Sequence, residues 1–135
     1  METLTTGRLA ERGGVNLETI RYYEREGLMP SPPRNCSGHR SYPLSAVRRL
    51  RFIRRCQELG FSLSEVKELL ALRGDPEQPC ADVIRQIDAK TEEMERRIAQ
   101  LQGIRRALRR LRASCEGACH ICECPILENL DKEAA

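Results

Sequence analysis

Five of the seven cysteines flank one long segment of the chain, and their thiols are the side chains best placed for chemistry. Cys80 stands before this segment, and Cys115, Cys119, Cys122 and Cys124 crowd into the ten residues after it. As a helix, the segment would be roughly 50 Å long at about 1.5 Å per residue, so Cys80 cannot share a small ligand with Cys115 and Cys124 of its own chain. Two antiparallel copies would bring these thiols together. The spacing therefore predicts a three-thiolate site across a dimer interface, suited to a thiophilic metal.

Several roles are possible for Cys119 and Cys122. They could form a second metal shell, help to transfer metal inward, or join Cys115 and Cys124 in a tetrathiolate zinc site. The gaps between these four cysteines are three, two and one residues, which is tight for one tetrahedral ion. His120 is a candidate minor ligand, although a histidine in a polar loop is more often exposed to solvent.

The composition limits the class of protein. The chain has 135 residues, 4% aromatic residues and no Trp, which predicts a thin helical fold helped by oligomerisation. It shows no apolar leader and no stretch near the roughly 20 apolar residues of a membrane span, so we expect a cytoplasmic protein. Cysteines in that compartment indicate metal or redox chemistry rather than a disulfide framework.

The charge is divided unevenly along the chain. Residues 1–73 hold 13 Lys and Arg against 8 Asp and Glu, whereas residues 74–135 hold 10 against 12. A basic N-terminal part with a slightly acidic tail is typical of a nucleic-acid reader that has a separate second function. We therefore expect a DNA-binding domain at residues 1–73.

The start of that domain predicts two short helices. Thr5 or Thr6 can cap the first helix, the glycines of Gly13–Val15 break it, and Asn16 can cap the second, which ends at Gly27. Two short helices joined by a glycine turn form a helix-turn-helix candidate.

A wing and two further helices are predicted next. Residues 34–42 are polar and rich in turn formers, which indicates a small two-stranded wing. Leu44–Leu59 carries an apolar stripe on one face and arginines on the rest, and Ser62 or Ser64 can cap a fourth helix. The glycine and prolines of residues 73–79 predict a linker.

The segment after Cys80 repeats apolar residues at alternating spacings of three and four. They are Val83, Ile84, Ile87, Met94, Ile98, Leu101, Ile104, Leu108 and Leu111. This pattern predicts a coiled coil of about four heptads, because little else in the chain can cover such a stripe. We expect an all-α fold with a small β wing, a linker and dimerisation helix at residues 74–112, and a metal-binding loop with a short helix at residues 113–135.

Three segments resemble the signature of the MerR family of transcriptional regulators, namely Thr19–Leu28, Gly38–Tyr42 and Leu59–Val66. The cysteine pattern, with Cys124-Pro125-Ile126 in the tail, resembles the mercury-responsive members. The resemblance implies a winged helix-turn-helix homodimer on an antiparallel coiled coil, bound to an overlong promoter spacer. It implies repression without metal, and activation when mercury(II) makes the dimer untwist the DNA so that RNA polymerase can open the promoter.

The resemblance also implies a set of DNA-binding residues. The guanidinium of Arg21, on the implied recognition helix, can reach a base edge or a phosphate. Arg40 suits a phosphate contact, whereas Tyr42 could pack under the wing or bond to the DNA backbone. The implied set is Thr19, Arg21, Tyr22, Tyr23, Arg40 and Tyr42, with core packing as the alternative for Tyr23.

Other functions remain open at this point. Zinc, cadmium or lead could be the effector, and Cys80 argues for a divalent ion because sensors of monovalent copper or gold resemble a version with serine there. The tail cysteines could instead pair as disulfides in a redox switch, which would leave Cys80 without a role. An enzyme is not expected, since only a thiol reductase built on the tail cysteines is a candidate.

Overall fold

The computed structural model describes residues 2–132, in which helices dominate and one small antiparallel sheet is present. This confirms the predicted fold class. The elements in chain order are β1 (Thr3–Leu4), α1 (Thr6–Gly13), α2 (Leu17–Arg25), β2 (Tyr42–Pro43), α3 (Ser45–Glu58), α4 (Leu63–Arg73), α5 (Cys80–Ala113), a 3-10 turn (Ile121–Glu123) and α6 (Pro125–Leu130). The chain divides into two compact units after Ile87, within α5.

Three helices of the first unit begin at side-chain caps, as the sequence predicts. Thr5 and Asn16 each accept a hydrogen bond from the backbone N–H three residues ahead, at 3.2 and 2.8 Å. Ser62 and Glu65 form a reciprocal capping box at the start of α4. These bonds satisfy N–H groups that have no partner inside the helix, and so they fix where each helix begins.

The core of the first unit lies among its four complete helices. Its largest fully buried side chains are Leu9, Ile20, Leu28, Met29, Tyr42, Leu50, Ile53 and Val66. Helices α1 and α3 approach closely at Gly13, where an added Cβ would lie 2.2 Å from Leu50 Cδ2. Glycine suits this crossing because any side chain at position 13 would displace the buried Leu50 side chain or shift the helices.

Arginines of α3 bind one carbonyl at the end of α1 and another in the loop after α2. Arg54 Nη1 donates to the carbonyl of Gly13 at 2.8 Å, and Arg49 Nε donates to the carbonyl of Leu28 at 2.6 Å. A cation suits the carbonyl of Gly13 because the last carbonyls of a helix lack partners within it. Part of the positive charge of α3 is thus used to hold the helix-turn-helix together.

The sheet differs in detail from the predicted wing. Strand β1, which the sequence did not predict, pairs with β2 so that Leu4 lies opposite Tyr42. The wing loop itself is closed by one bridge between Arg34 and Arg40, and the Asn35 side chain accepts two backbone N–H groups at its tip. A two-residue strand is too short to produce an alternating pattern, which is why β1 escaped prediction.

Helix α5 is continuous from Cys80 to Ala113, one residue longer than predicted. Its apolar stripe is exposed in the single chain, with Ile98, Leu101, Ile104 and Leu108 each about half or more accessible. Such a stripe is typical of a helix that pairs with another, and the antiparallel dimer stays a prediction. Among the described helices, α5 included, none combines the length and apolar character needed to cross a lipid bilayer.

Candidate metal centre and nucleic-acid interface

Three thiols of the tail lie together just after α5. The Sγ atoms of Cys115, Cys119 and Cys124 are all within 4.8 Å of one another, and those of Cys115 and Cys119 are 3.3 Å apart. Cys115 and Cys124 are partly buried, whereas Cys119 is exposed. A cluster of sulfur ligands at this spacing is suited to a soft metal ion.

The loop between the cysteines turns back because of local backbone features. Arg112 Nη1 donates to the carbonyl of Cys115 at 2.9 Å, and Gly117 adopts φ +88°, which few residues other than glycine tolerate. The N–H of Gly117 then donates to Cys115 Sγ at 3.3 Å. The 3-10 turn follows, and Cys124 immediately precedes α6, whose first residue is Pro125.

The two closest thiols differ in acidity. The N–H of Gly117 and the Cys119 thiol, with the charge of Arg112, lower the pKa of Cys115. The hydrogen bond between the thiols of Cys119 and Cys115 raises the pKa of the Cys119 thiol. The two shifts have opposite directions because donors that face a sulfur stabilise its charged form.

The remaining candidate ligands lie outside this group of three. Cys80 is exposed at the first residue of α5 and belongs to the first unit. Cys122 is exposed within the 3-10 turn, and His120 is exposed just before it. Cys80, Cys115 and Cys124 remain the predicted ligand set across a dimer, and the single chain adds Cys119 as a neighbour of the last two.

The first turns of α5 line an apolar groove within the first unit. The groove has a volume of about 410 Å³, and Cys56, Phe61 and Leu69 face Cys80 and Val83 across it. Burial raises the pKa of the Cys56 thiol, as expected for a cysteine that acts as a small apolar residue. Cys80 is thus placed beside α3 and α4 of the first unit.

Helix α2 presents two of the predicted DNA-binding side chains to solvent. Arg21 is about half exposed and forms an ion pair with Glu18 at 3.3 Å, and Tyr22 is 40% exposed beneath the guanidinium of Arg25. The hydroxyl of Thr19 donates to the capping oxygen of Asn16 at 2.9 Å. Arg21 and Tyr22 are therefore accessible to a nucleic acid, while Thr19 also serves the helix cap.

The other two tyrosines of the predicted set are buried. Tyr23 lies in the core, and its hydroxyl donates to Gln57 on α3. Burial raises the pKa of Tyr23 and of Tyr42. The Tyr42 ring is 1% exposed, so both rings are part of the core of the first unit, and the role of either tyrosine in DNA binding stays a prediction.

Glu24 on α2 binds residues of the wing and of β2. The sequence did not predict a role for this residue. Its side chain is only 7% exposed and accepts hydrogen bonds from the Tyr42 hydroxyl and from Arg40 Nη1, the latter at 2.6 Å. A carboxylate in a charged helix resembles a solvated residue in the sequence, and only the fold shows that it is enclosed. Arg40 therefore orients the wing in addition to any contact with phosphate.

Two family models match most of the chain. The model described as MerR HTH family regulatory protein matches residues 4–72, and the model described as MerR, DNA binding matches residues 47–111. Together these matches extend from β1 to near the end of α5.

Individual relatives match almost the whole length. The mercuric resistance operon regulatory protein of Bacillus cereus is 46% identical over 127 residues, covering 94% of this chain and 96% of that protein. The HTH-type transcriptional regulator ZntR of Escherichia coli (strain K12) is 41% identical over 131 residues, covering 96% and 93%. The crystal structure of the transcription regulator PbrR691 from Ralstonia metallidurans CH34 in complex with lead(II) has a TM-score of 0.86 and 36% identity, covering 94% of this chain and 98% of that one.

Proposed function

This chain belongs to the MerR family of transcriptional regulators as a metal-responsive member, and we propose that its effector is mercury(II), bound between two subunits by Cys80 of one and Cys115 and Cys124 of the other. The relatives are transcription regulators, which are not enzymes. The proposal depends chiefly on one observation, the clustering of Cys115 and Cys124 in a chain 46% identical to a mercuric resistance regulator.

The donor set fits mercury(II). Three thiolates offer soft sulfur and a charge that a soft dication largely neutralises, whereas magnesium and calcium prefer oxygen ligands. The N–H of Gly117 lowers the pKa of Cys115, which favours the thiolate form that binds a metal. Cys115, Cys124 and the partner's Cys80 would supply three bonds of the same type.

The position of Cys80 offers a route from metal to DNA. Cys80 begins α5 and lines the groove beside α3 and α4, so a bond to its sulfur acts on the unit that carries the recognition helix. In the proposed mechanism each dimer holds an overlong promoter spacer and represses transcription without metal. Binding of the ion shifts the two DNA-binding units, the DNA untwists, and RNA polymerase opens the promoter.

The direct test is transcription from the cognate promoter in vitro, with the full-length protein titrated with mercury(II), cadmium(II), zinc(II) or lead(II). Mercury(II) should induce at the lowest concentration, keep its effect in millimolar small-molecule thiol, and fail with Cys80→Ser. Induction by cadmium(II) or zinc(II) at an equal or lower concentration would contradict the mercury assignment.

Lead(II) is the second candidate effector. The observation that favours it is the similarity to a regulator solved in complex with lead(II), at a TM-score of 0.86. The same titration separates the two, since a lead sensor would respond to lead(II) before mercury(II). Peroxide in metal-free medium tests the redox alternative, which requires induction without any added ion.

A further inference from the structure

The tail contains a complete set of three sulfur ligands within one chain. We propose that Cys115, Cys119 and Cys124 form an intrachain site that captures one soft divalent ion without any ligand from the partner subunit. This inference deepens the proposed function, on which the identity of the ion depends. It assigns Cys119 the third position, which the dimer model gives to the partner's Cys80.

The spacing of the sulfurs supports such a site. Three thiolates around one ion at about 2.3 Å lie roughly 4 Å from one another. The three Sγ atoms are within 4.8 Å of one another, and the shortest pair is 3.3 Å apart. Shifts of under about 1 Å at each sulfur would therefore complete three-coordinate geometry, within the freedom of exposed and partly buried side chains.

The three ligands are close together in the sequence, and the backbone between them turns back on itself. All three cysteines lie in ten residues, and the turn at Gly117 directs Cys119 back toward Cys115. The third ligand is therefore present at a high effective concentration around an ion already bound by two thiolates. Cys80 has no such advantage within its own chain, because the whole of α5 lies between it and Cys115 in the sequence.

The exposure of the three cysteines indicates the order in which they bind the ion. Cys119 is the exposed member of the cluster, so it can meet an ion delivered as a complex with a small thiol. The partly buried Cys115 and Cys124 would then hold the ion while the partner's Cys80 replaces Cys119. The intrachain site captures the effector, and the exchange of one ligand completes the signalling site.

The test uses full-length Cys80→Ser, in which the dimer site cannot form. With one equivalent of mercury(II) per chain, X-ray absorption should count three sulfurs around the ion. Cys80→Ser/Cys119→Ser should fall to two sulfurs and lose roughly 10²-fold or more in affinity against a competing thiol. Cys80→Ser/Cys122→Ser is the matched control, because Cys122 is an exposed cysteine of the same loop outside the cluster, and it should keep three sulfurs.

Equal sulfur counts in the Cys80→Ser protein and its Cys119→Ser derivative would overturn the inference, as would a loss of one sulfur in the Cys122→Ser control. Circular dichroism of each variant establishes that it is folded. A further measurement uses the intact dimer, where Cys119→Ser should slow uptake from a mercury–glutathione complex relative to Cys122→Ser. Equal uptake rates would count against capture by Cys119.

The outcome separates this inference from the proposed function. Failure of wild-type protein to respond to mercury(II), with three sulfurs still counted in Cys80→Ser, would remove the function and leave the site. Mercury-dependent transcription that requires Cys80, with only two sulfurs counted in Cys80→Ser, would leave the function and remove the site.

Discussion

Replacement of Tyr42 by Phe removes one hydroxyl that binds Glu24 on α2. Glu24 on α2 is almost fully enclosed and accepts hydrogen bonds from Tyr42 and Arg40. The Tyr42 ring is 1% exposed, so a phenylalanine ring can occupy the same space. The substitution therefore tests the hydrogen bond with little change in packing.

The expected cost follows from the charge and burial of Glu24. A hydrogen bond to a charged group contributes about 1.5–3 kcal/mol, and an enclosed charge that loses a donor also retains its desolvation cost. Because Arg40 remains within 2.6 Å of the carboxylate, we expect the lower part of that range. Tyr42→Phe should lower the free energy of unfolding by about 1.5–2 kcal/mol.

Urea unfolding measures this change, at one fixed protein concentration because the stability of the proposed dimer would depend on concentration. Tyr22→Phe is the matched control, because its ring is 40% exposed, and it should be neutral. Glu24→Gln completes a double-mutant cycle in which the two changes should not add. A loss for Tyr42→Phe no greater than that of the control, or full additivity with Glu24→Gln, would refute the assigned contact.

Three further predictions concern the helix cap, the DNA contact and the sensor. Ser62→Ala removes the cap of α4 and should lower the free energy of unfolding by about 1 kcal/mol in the same urea assay; an unchanged value would show that the capping box is not formed in solution. Arg21→Ala should weaken operator binding by roughly 1–3 kcal/mol with loss of sequence preference, measured by fluorescence anisotropy on operator and scrambled duplexes, and unchanged binding would remove Arg21 from the interface. Cys124→Ser should bind the operator normally but fail to induce transcription with mercury(II), whereas loss of operator binding would indicate that this cysteine maintains the dimer.

The helices were predictable because their signals are local. Caps at Thr5, Asn16 and Ser62 lie next to the helices they start, and the apolar repeat from Val83 to Leu111 comes within three residues of each end of α5. The separation of Cys80 from the tail cysteines also follows from helix length alone. Features that depend on neighbouring residues and on regular spacing are thus accessible from the sequence.

The features that the sequence did not predict depend on contacts between distant residues or on one backbone angle. Strand β1 forms only because Leu4 meets Tyr42, 38 positions later. The enclosure of Glu24 requires the wing to fold over α2. The place of Cys119 beside Cys115 depends on the positive φ of Gly117, which the spacing of cysteines does not reveal; a glycine between two cysteines was the available signal.

The central claim is that the signalling site takes ligands from two chains, and a mixed dimer tests it most directly. One chain carries Cys80→Ser and the other Cys115→Ser, both in a Cys119→Ser background, so that neither homodimer holds a full set of three ligands. The two chains are joined by co-expression with different affinity tags, and mercury(II) is counted by native mass spectrometry and X-ray absorption. We predict that each mixed dimer binds one ion through three sulfurs. Neither homodimer should contain an ion bound by three sulfurs. A mixed dimer that shows no three-sulfur ion would contradict the claim.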